Sequence, residues 1–267
     1  MTSIKTLIFI VSLLTLSACA ATPGEADPAQ DLGILWAIHS AEYRAVTTEI
    51  YRDAADDLPG FIEDKTWSVV TGRGDPSALP PAVILDVDET VVSNAVFQLT
   101  HERPFTNEKL DTWASNTPAR AITGVKSFVD TARSLGVTVF FLTNRPCQPK
   151  VGIDIPCPQK ITTIDGIHEV GIAVDADHVM LAGEQPGWNR EKLSRREFVA
   201  KTHRVIMLIG DDLGDFEPCV RSKPYGACTT AATRASLREA AEKHPELWGN
   251  GWYILPNPMH GSWTSVE

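Results

Sequence analysis

Asp86 and Asp88 stand two residues apart in Asp86-Val87-Asp88-Glu89-Thr90, directly after the apolar run Ala82-Val83-Ile84-Leu85. In an extended segment such residues point to one side, so both carboxylates can face one site. Two carboxylates there repel each other, and a hard, oxygen-preferring dication such as Mg²⁺ relieves that repulsion. Alone, the pair reads equally well as an acidic surface turn. Two further clusters shift the balance. Thr143-Asn144-Arg145 follows the apolar run at 137–142 and offers a hydroxyl, an amide and backbone N–H groups for a phosphoryl oxygen. Gly210-Asp211-Asp212-Leu213-Gly214-Asp215 follows the run at 205–209. Gly210 permits a tight turn and Asp211 can complete a metal shell. Asp212 and Asp215 serve as supporting acceptors or as loop caps. Lys192, ahead of the third run, is the candidate cation, while Arg195 and Arg196 read as a solvated helix face.

The elements that must bring these clusters together are legible as patterns. Continuous apolar runs at 82–85, 137–142, 205–209 and 252–255, with a possible fifth at 178–181, suit strands covered on both faces. Helical spacing lies between them, at about 123–134, 190–202 and 231–244, with Thr123 a candidate cap and Gly136 a stop. An amphipathic helix is expected over 31–56, stopped by Pro59-Gly60. Alternation of strand and helix predicts an α/β fold on a Rossmann-like parallel sheet. Ligands in such sheets bind beyond the carboxyl ends of the strands, where all three clusters fall. Residues 90–122 are too long for a plain loop and predict a small helical cap.

Composition sets outer limits. The 267 residues are 43% hydrophobic with a formal net charge of −10. That is too apolar for a disordered chain, and too acidic for a nucleic-acid polymer to be the partner. Lys5 and the apolar run at 7–16 read as an export segment too short to span a bilayer. Leu16-Ser17-Ala18-Cys19 resembles the lipobox of bacterial lipoproteins. This implies a signal peptide at 1–18 and lipid on Cys19 that ties the chain to a membrane. Ala20 resembles outer-membrane sorting, facing the periplasm or the exterior. Residues 19–30 read as a flexible tether before a domain at 31–267. Cys147, Cys157, Cys219 and Cys228 remain, an even number that suits disulfides outside the cytoplasm. Of their three pairings, the sequence neighbours Cys147–Cys157 and Cys219–Cys228 are favoured. A zinc site lacks any C-x-x-C spacing.

Taken together, Asp-x-Asp-x-Thr, a Thr after the second run, a Lys and Gly-Asp-x-x-x-Asp after the third resemble the haloacid dehalogenase superfamily of phosphohydrolases. The nearer match is the class C bacterial acid phosphatases, the lipoprotein 5′-nucleotidase family. The tail Leu255-Pro256-Asn257-Pro258-Met259-His260-Gly261-Ser262-Trp263 resembles that family's C-terminus. The resemblance implies hydrolysis of a small phosphomonoester. Asp86 would be the nucleophile and Asp88 the general acid, then base. Mg²⁺ would be held by the Asp86 carboxylate, the Asp88 backbone carbonyl and Asp211. Thr143 and Lys192 would hold the phosphoryl group, with Asn144 beside them, and Phe97 and Trp113 match a base-stacking pair. A homodimer and an acidic optimum are also implied. The sequence departs from the pattern at Asp212 and Gly214, at His260 where Tyr is expected, and in the cysteine-flanked insert 146–159. Two rivals are a non-catalytic binding lipoprotein and a signalling phospho-acceptor. The full set of chemical residues argues against the first, and the acid at Asp88 argues against the second.

Overall fold

A computed structural model describes residues 28–71 and 74–266. The proposed signal peptide, Cys19 and most of the tether lie outside the described residues. Five strands form one sheet: β1 (Pro81–Leu85), β2 (Thr138–Pro146), β3 (Val179–Ala182), β4 (Arg204–Gly210) and β5 (Trp252–Ile254). All pairs are parallel and the order is β3-β2-β1-β4-β5. The three strands that carry the polar clusters are therefore neighbours. The chain turns to opposite sides of β1, through β2 and then β4, which opens a crevice at the carboxyl end of the sheet.

Side chains of each strand alternate between two cores. Val83 and Leu85 join Val139, Phe141 and Ile209 on one face, while Ala82 and Ile84 join Phe140, Leu142 and Leu208 on the other. Both faces are dry, which explains the unbroken apolar runs. Helix α1 (Pro28–His39) begins inside the stretch expected as tether, and α2 (Ala41–Glu63) follows it. The single helix expected over 31–56 is thus two. Ser40 breaks it, and its side-chain oxygen accepts from the Tyr43 N–H at 3.0 Å. Pro59 does not stop α2. Tyr51, Ala54, Leu58 and Phe61 bury one stripe across the proline, and that packing outweighs a cost of about 3 kcal/mol for an interior proline. Arg204, fully buried at the start of β4, donates to the carbonyls of Phe61, Ile62 and Asp64 and closes the helix end.

Residues 90–122 carry two short helices, α3 (Ala95–Thr100) and α4 (Asn107–Asn116). Helix α5 (Val125–Ser134) starts from Gly124 in a left-handed conformation, not from a Thr123 cap. Gly124 sits against Tyr51, where a Cβ would come within 2.9 Å of that residue's Cβ. Helices α6 (Pro158–Glu169), α7 (Leu193–Val199), α8 (Arg234–Glu242) and α9 (Ser262–Ser265) complete the order. Among the described residues no helix is long and apolar enough to cross a membrane.

Candidate active site

A cleft of about 490 Å³ opens at the carboxyl ends of β1, β2 and β4. Asp86, Asp88, Asn144, Lys192, Asp211, Asp212 and Asp215 all line it. Residues from β1, β2, the start of α7 and the loop after β4 thus meet, although Asp86 and Asp211 are 125 positions apart.

At the floor, one carboxylate oxygen from each of Asp86, Asp211 and Asp215 lies within 4.8 Å of the others. The Lys192 ammonium bonds to Asp86 and lies 2.6 Å from Asp215. Burial pushes the Asp86 carboxyl up to about 7; Lys192 pulls the other way, and the Asp215 and Asp88 carboxylates add to the rise. Burial also drives Asp211 well above the usual carboxylate range, with the Asp86 and Asp215 charges reinforcing it. Lys192, which burial alone would depress, is held above its ordinary value by Asp215 and Asp86. One ammonium among three carboxylates leaves a negative excess in a dry site. A hard dication on oxygen ligands fits that donor set.

The loop after β4 is folded around Asp215. One oxygen of its carboxylate accepts the N–H groups of Asp211 and Asp212, each at 3.1 Å. A Cβ on Gly210 would overlap this carboxylate, so the tight turn requires glycine there. Asp215 therefore caps the loop and also supplies the third carboxylate of the floor. Asp212 accepts from the Gly214 N–H at 2.9 Å and from the Ser262 N–H. Asp211 is aimed by Thr90 Oγ1 at 3.0 Å and Asn257 Nδ2 at 2.7 Å.

Asp88 is directed elsewhere. Its carboxylate takes Arg145 Nη2 at 2.7 Å, Arg145 Nε at 3.0 Å, Asn94 Nδ2 at 2.7 Å and Thr143 Oγ1 at 3.0 Å. Burial raises the Asp88 carboxyl, but the Arg145 charge and these donors outweigh it and hold the group below the usual range. Of the expected phosphate holders, Lys192 and Asn144 face the cleft. Asn144 Oδ1 accepts from Arg195 at 2.7 Å, which leaves its N–H₂ for a ligand. Thr143 does not face the cleft: it is fully buried and its hydroxyl serves Asp88.

Two further expectations are corrected. Phe97 is 2% exposed and packs on His101, Phe105 and Trp113, so it lies beneath the cleft lining rather than in it. Trp113 lines a separate recess behind Asn94 and Arg145. The aromatics that line the cleft are Phe105 and Tyr225. Arg195 and Arg196 are not on a solvated face but are 0% and 3% exposed. Arg195 donates to the Thr143 carbonyl at 2.6 Å, and Arg196 to the Asp215 carbonyl. They fasten α7, and with it Lys192, to the ends of β2 and the β4 loop.

Sequence reading missed Glu89, Asn94, Arg145 and Asn257 as site residues. Glu89 is buried, holds a positive φ of 59° and accepts from the Asn94 N–H at 2.7 Å. His260 reaches the same carboxylate at 3.0 Å, and Glu89 keeps the imidazole above its ordinary pKa against the effect of burial. The signal available was adjacency: Glu89 and Arg145 sit inside two quoted clusters. The sulfurs of Cys147 and Cys157 are paired, as are those of Cys219 and Cys228.

A family model described as the HAD superfamily, subfamily IIIB (acid phosphatase), matches residues 35–263. The fold is also similar to that of the class C acid phosphatase from Bacillus anthracis, with a TM-score of 0.66 and 25% identity over 88% of this chain and 86% of that one. The same enzyme's structure with tungstate bound gives 0.68 and 26%, with the same coverage. With the family match spanning most of its length, the chain belongs to the acid phosphatases of haloacid dehalogenase subfamily IIIB.

Proposed function

We propose that this acid phosphatase is Mg²⁺-dependent and hydrolyses small phosphate esters, 5′-nucleotides among them, through an aspartyl-phosphate on Asp86. The observation that carries the reading is the floor of the cleft, where Asp86, Asp211, Asp215 and Lys192 converge. An oxygen of Asp86 attacks phosphorus while the ester P–O bond breaks. The leaving alkoxide takes a proton from Asp88. In the second half, the Asp88 carboxylate takes a proton from water, whose oxygen attacks the same phosphorus. Phosphate leaves and the Asp86 carboxylate is restored. Lys192 and the Asn144 amide offset charge on the equatorial oxygens. Thr143, Asn94 and Arg145 hold Asp88 in place. A dication would sit on Asp86, Asp211 and Asp215, with the Asp88 carbonyl as a further oxygen, and would supply charge neutralisation at the phosphoryl group. Phe105 and Tyr225 offer faces to a nucleobase.

The test is rapid quenching with substrate labelled in the phosphoryl group. Wild-type protein should carry label that hydroxylamine releases, and Asp86→Asn should carry none and turn over nothing. Steady turnover by Asp86→Asn refutes the nucleophile. We also propose lipid on Cys19, an outer-membrane location and a homodimer. The lipobox motivates the first two and the family resemblance the third. Loss of membrane association in Cys19→Ser, and light scattering on lipid-free protein, test them.

A further inference from the structure

Besides Lys192 and Arg145, which engage Asp86 and Asp88, three cations line the cleft: Arg190, Arg221 and Lys223. Arg190 lies two residues before Lys192, and the other two sit on the loop closed by Cys219 and Cys228. Among the described residues, neither the Arg190 guanidinium nor the Lys223 ammonium has an ion-pair or hydrogen-bond partner. Arg221 forms two long ion pairs. Its Nη2 lies 3.6 Å from Asp212 and its Nε 3.8 Å from Glu191, and that Nε is buried without an acceptor.

The loop that carries them is built rather than loose. The Cys219 N–H donates to buried Glu191 at 3.0 Å, and the Ala232 N–H to the Arg221 carbonyl at 2.9 Å. The Arg221 guanidinium rests against Gly214, where a Cβ would stand 2.6 Å from Nη2. Its place therefore depends on a glycine in the loop that also carries Asp211 and Asp215. Burial and the Arg221 charge both work against the charge of Arg190 and outweigh the help of Tyr225 and Asp212. Two half-buried guanidiniums with Asp212 as the carboxylate they share leave a positive excess that an arriving anion relieves, and the exposed Lys223 adds to it. The transferring phosphoryl group is already served by Lys192 and Asn144, so it does not account for this wall.

We propose that the preferred substrates are phosphomonoesters that bear a second phosphate, which the Arg190–Arg221–Lys223 wall binds while the first lies over Asp86. This rests on the phosphomonoesterase reading above and names the substrate class of the same cleft. The fork of a guanidinium matches phosphate oxygens, and three charges suit a dianion better than a single carboxylate.

The test compares monophosphate and bisphosphate esters of the same straight-chain diols, of increasing length, with Mg²⁺ present. Calorimetry on Asp86→Asn measures binding without turnover, and kcat/KM on the wild-type chain carries the same expectation should that variant fail to fold. At the chain length that spans the cleft, the bisphosphate should bind about tenfold tighter than the monophosphate. Replacing both Arg190→Gln and Lys223→Gln should cut that ratio to about twofold or less. Because a ratio is read, general damage to the site lowers both affinities and leaves the expectation intact. Equal affinities at every length, or a preference that survives the double replacement, overturn the proposal. The phosphatase reading itself fails only if the wild-type chain releases no phosphate from either ester.

Discussion

Arg145→Gln is the substitution whose consequence can be worked furthest. Arg145 meets Asp88 through two nitrogens, at 2.7 and 3.0 Å, and the two side chains are only 10% and 22% exposed. Its charge is the main influence holding the Asp88 carboxyl down against the effect of burial. A hydrogen bond between charged groups contributes about 1.5–3 kcal/mol, and about 1.36 kcal/mol corresponds to one pKa unit. Removing the charge, with Thr143 and Asn94 still in place, should therefore raise the Asp88 pKa by about one to two units. If Asp88 must be protonated to release the alkoxide, its titration sets the alkaline side of the kcat/KM profile. That limb should move up by the same one to two units, and activity should persist to higher pH. An acidic optimum, which the family resemblance implies, would then have a cause in the structure, since Arg145 holds the Asp88 carboxyl below the usual range. The assay is kcat/KM against pH on an aryl phosphate at saturating Mg²⁺, with Asp88→Asn as the variant that should lose the limb altogether. A limb that stays within a few tenths of a unit, or moves down, refutes the reasoning.

Two further substitutions separate the site from its supports. Lys192→Met leaves Asp86 and Asp215 buried without their ammonium, a loss of the order of 3–5 kcal/mol where both are ionised. The Asp86 carboxyl, raised to about 7 in the folded chain, costs wild type and variant alike as pH rises from about 4 to about 7, and loss of the ammonium raises it further. The penalty of the variant relative to wild type should therefore open as pH rises above about 7 and shrink on acidification. Urea melts in chelator at several pH values read this, and a penalty that does not depend on pH contradicts it. Arg204→Met strips the donors from the end of α2 and leaves the carbonyls of buried Phe61, half-buried Ile62 and exposed Asp64 without that partner. A cost of about 2–4 kcal/mol is expected. The midpoint of denaturation should fall with little change in phosphatase activity per folded molecule, and a selective loss of activity would show that α2 positions the cleft.

The strands were legible because both faces of the sheet are dry. Val83, Leu85, Phe141 and Leu142 needed no partner beyond other apolar side chains, so their runs stand out unbroken. Each run also ended where a polar cluster began, which placed Asp86, Asn144 and Asp211 at one edge before any geometry was known. Roles decided by long-range contacts were not legible. Arg195 and Arg196 look like any solvated pair in sequence, and acceptors reached from across the fold, among them Asn144 Oδ1 and the Thr143 and Asp215 carbonyls, make their burial tolerable. Thr143 was read as a phosphate holder because its hydroxyl follows the second strand and matches the family pattern, yet the bonding of that hydroxyl depended on Asp88, 55 positions away. Phe97 failed for the opposite reason. An aromatic in a cap can cover a ligand or cover its own helix, and His101 and Trp113 had already claimed its ring. Local pattern thus locates the acids that share one backbone segment, while the cations that neutralise or aim them come from other elements. The electrostatics of this cleft follow from Arg145, Arg195 and Lys192, contributed by β2 and the region of α7, acting on carboxylates delivered by β1 and β4.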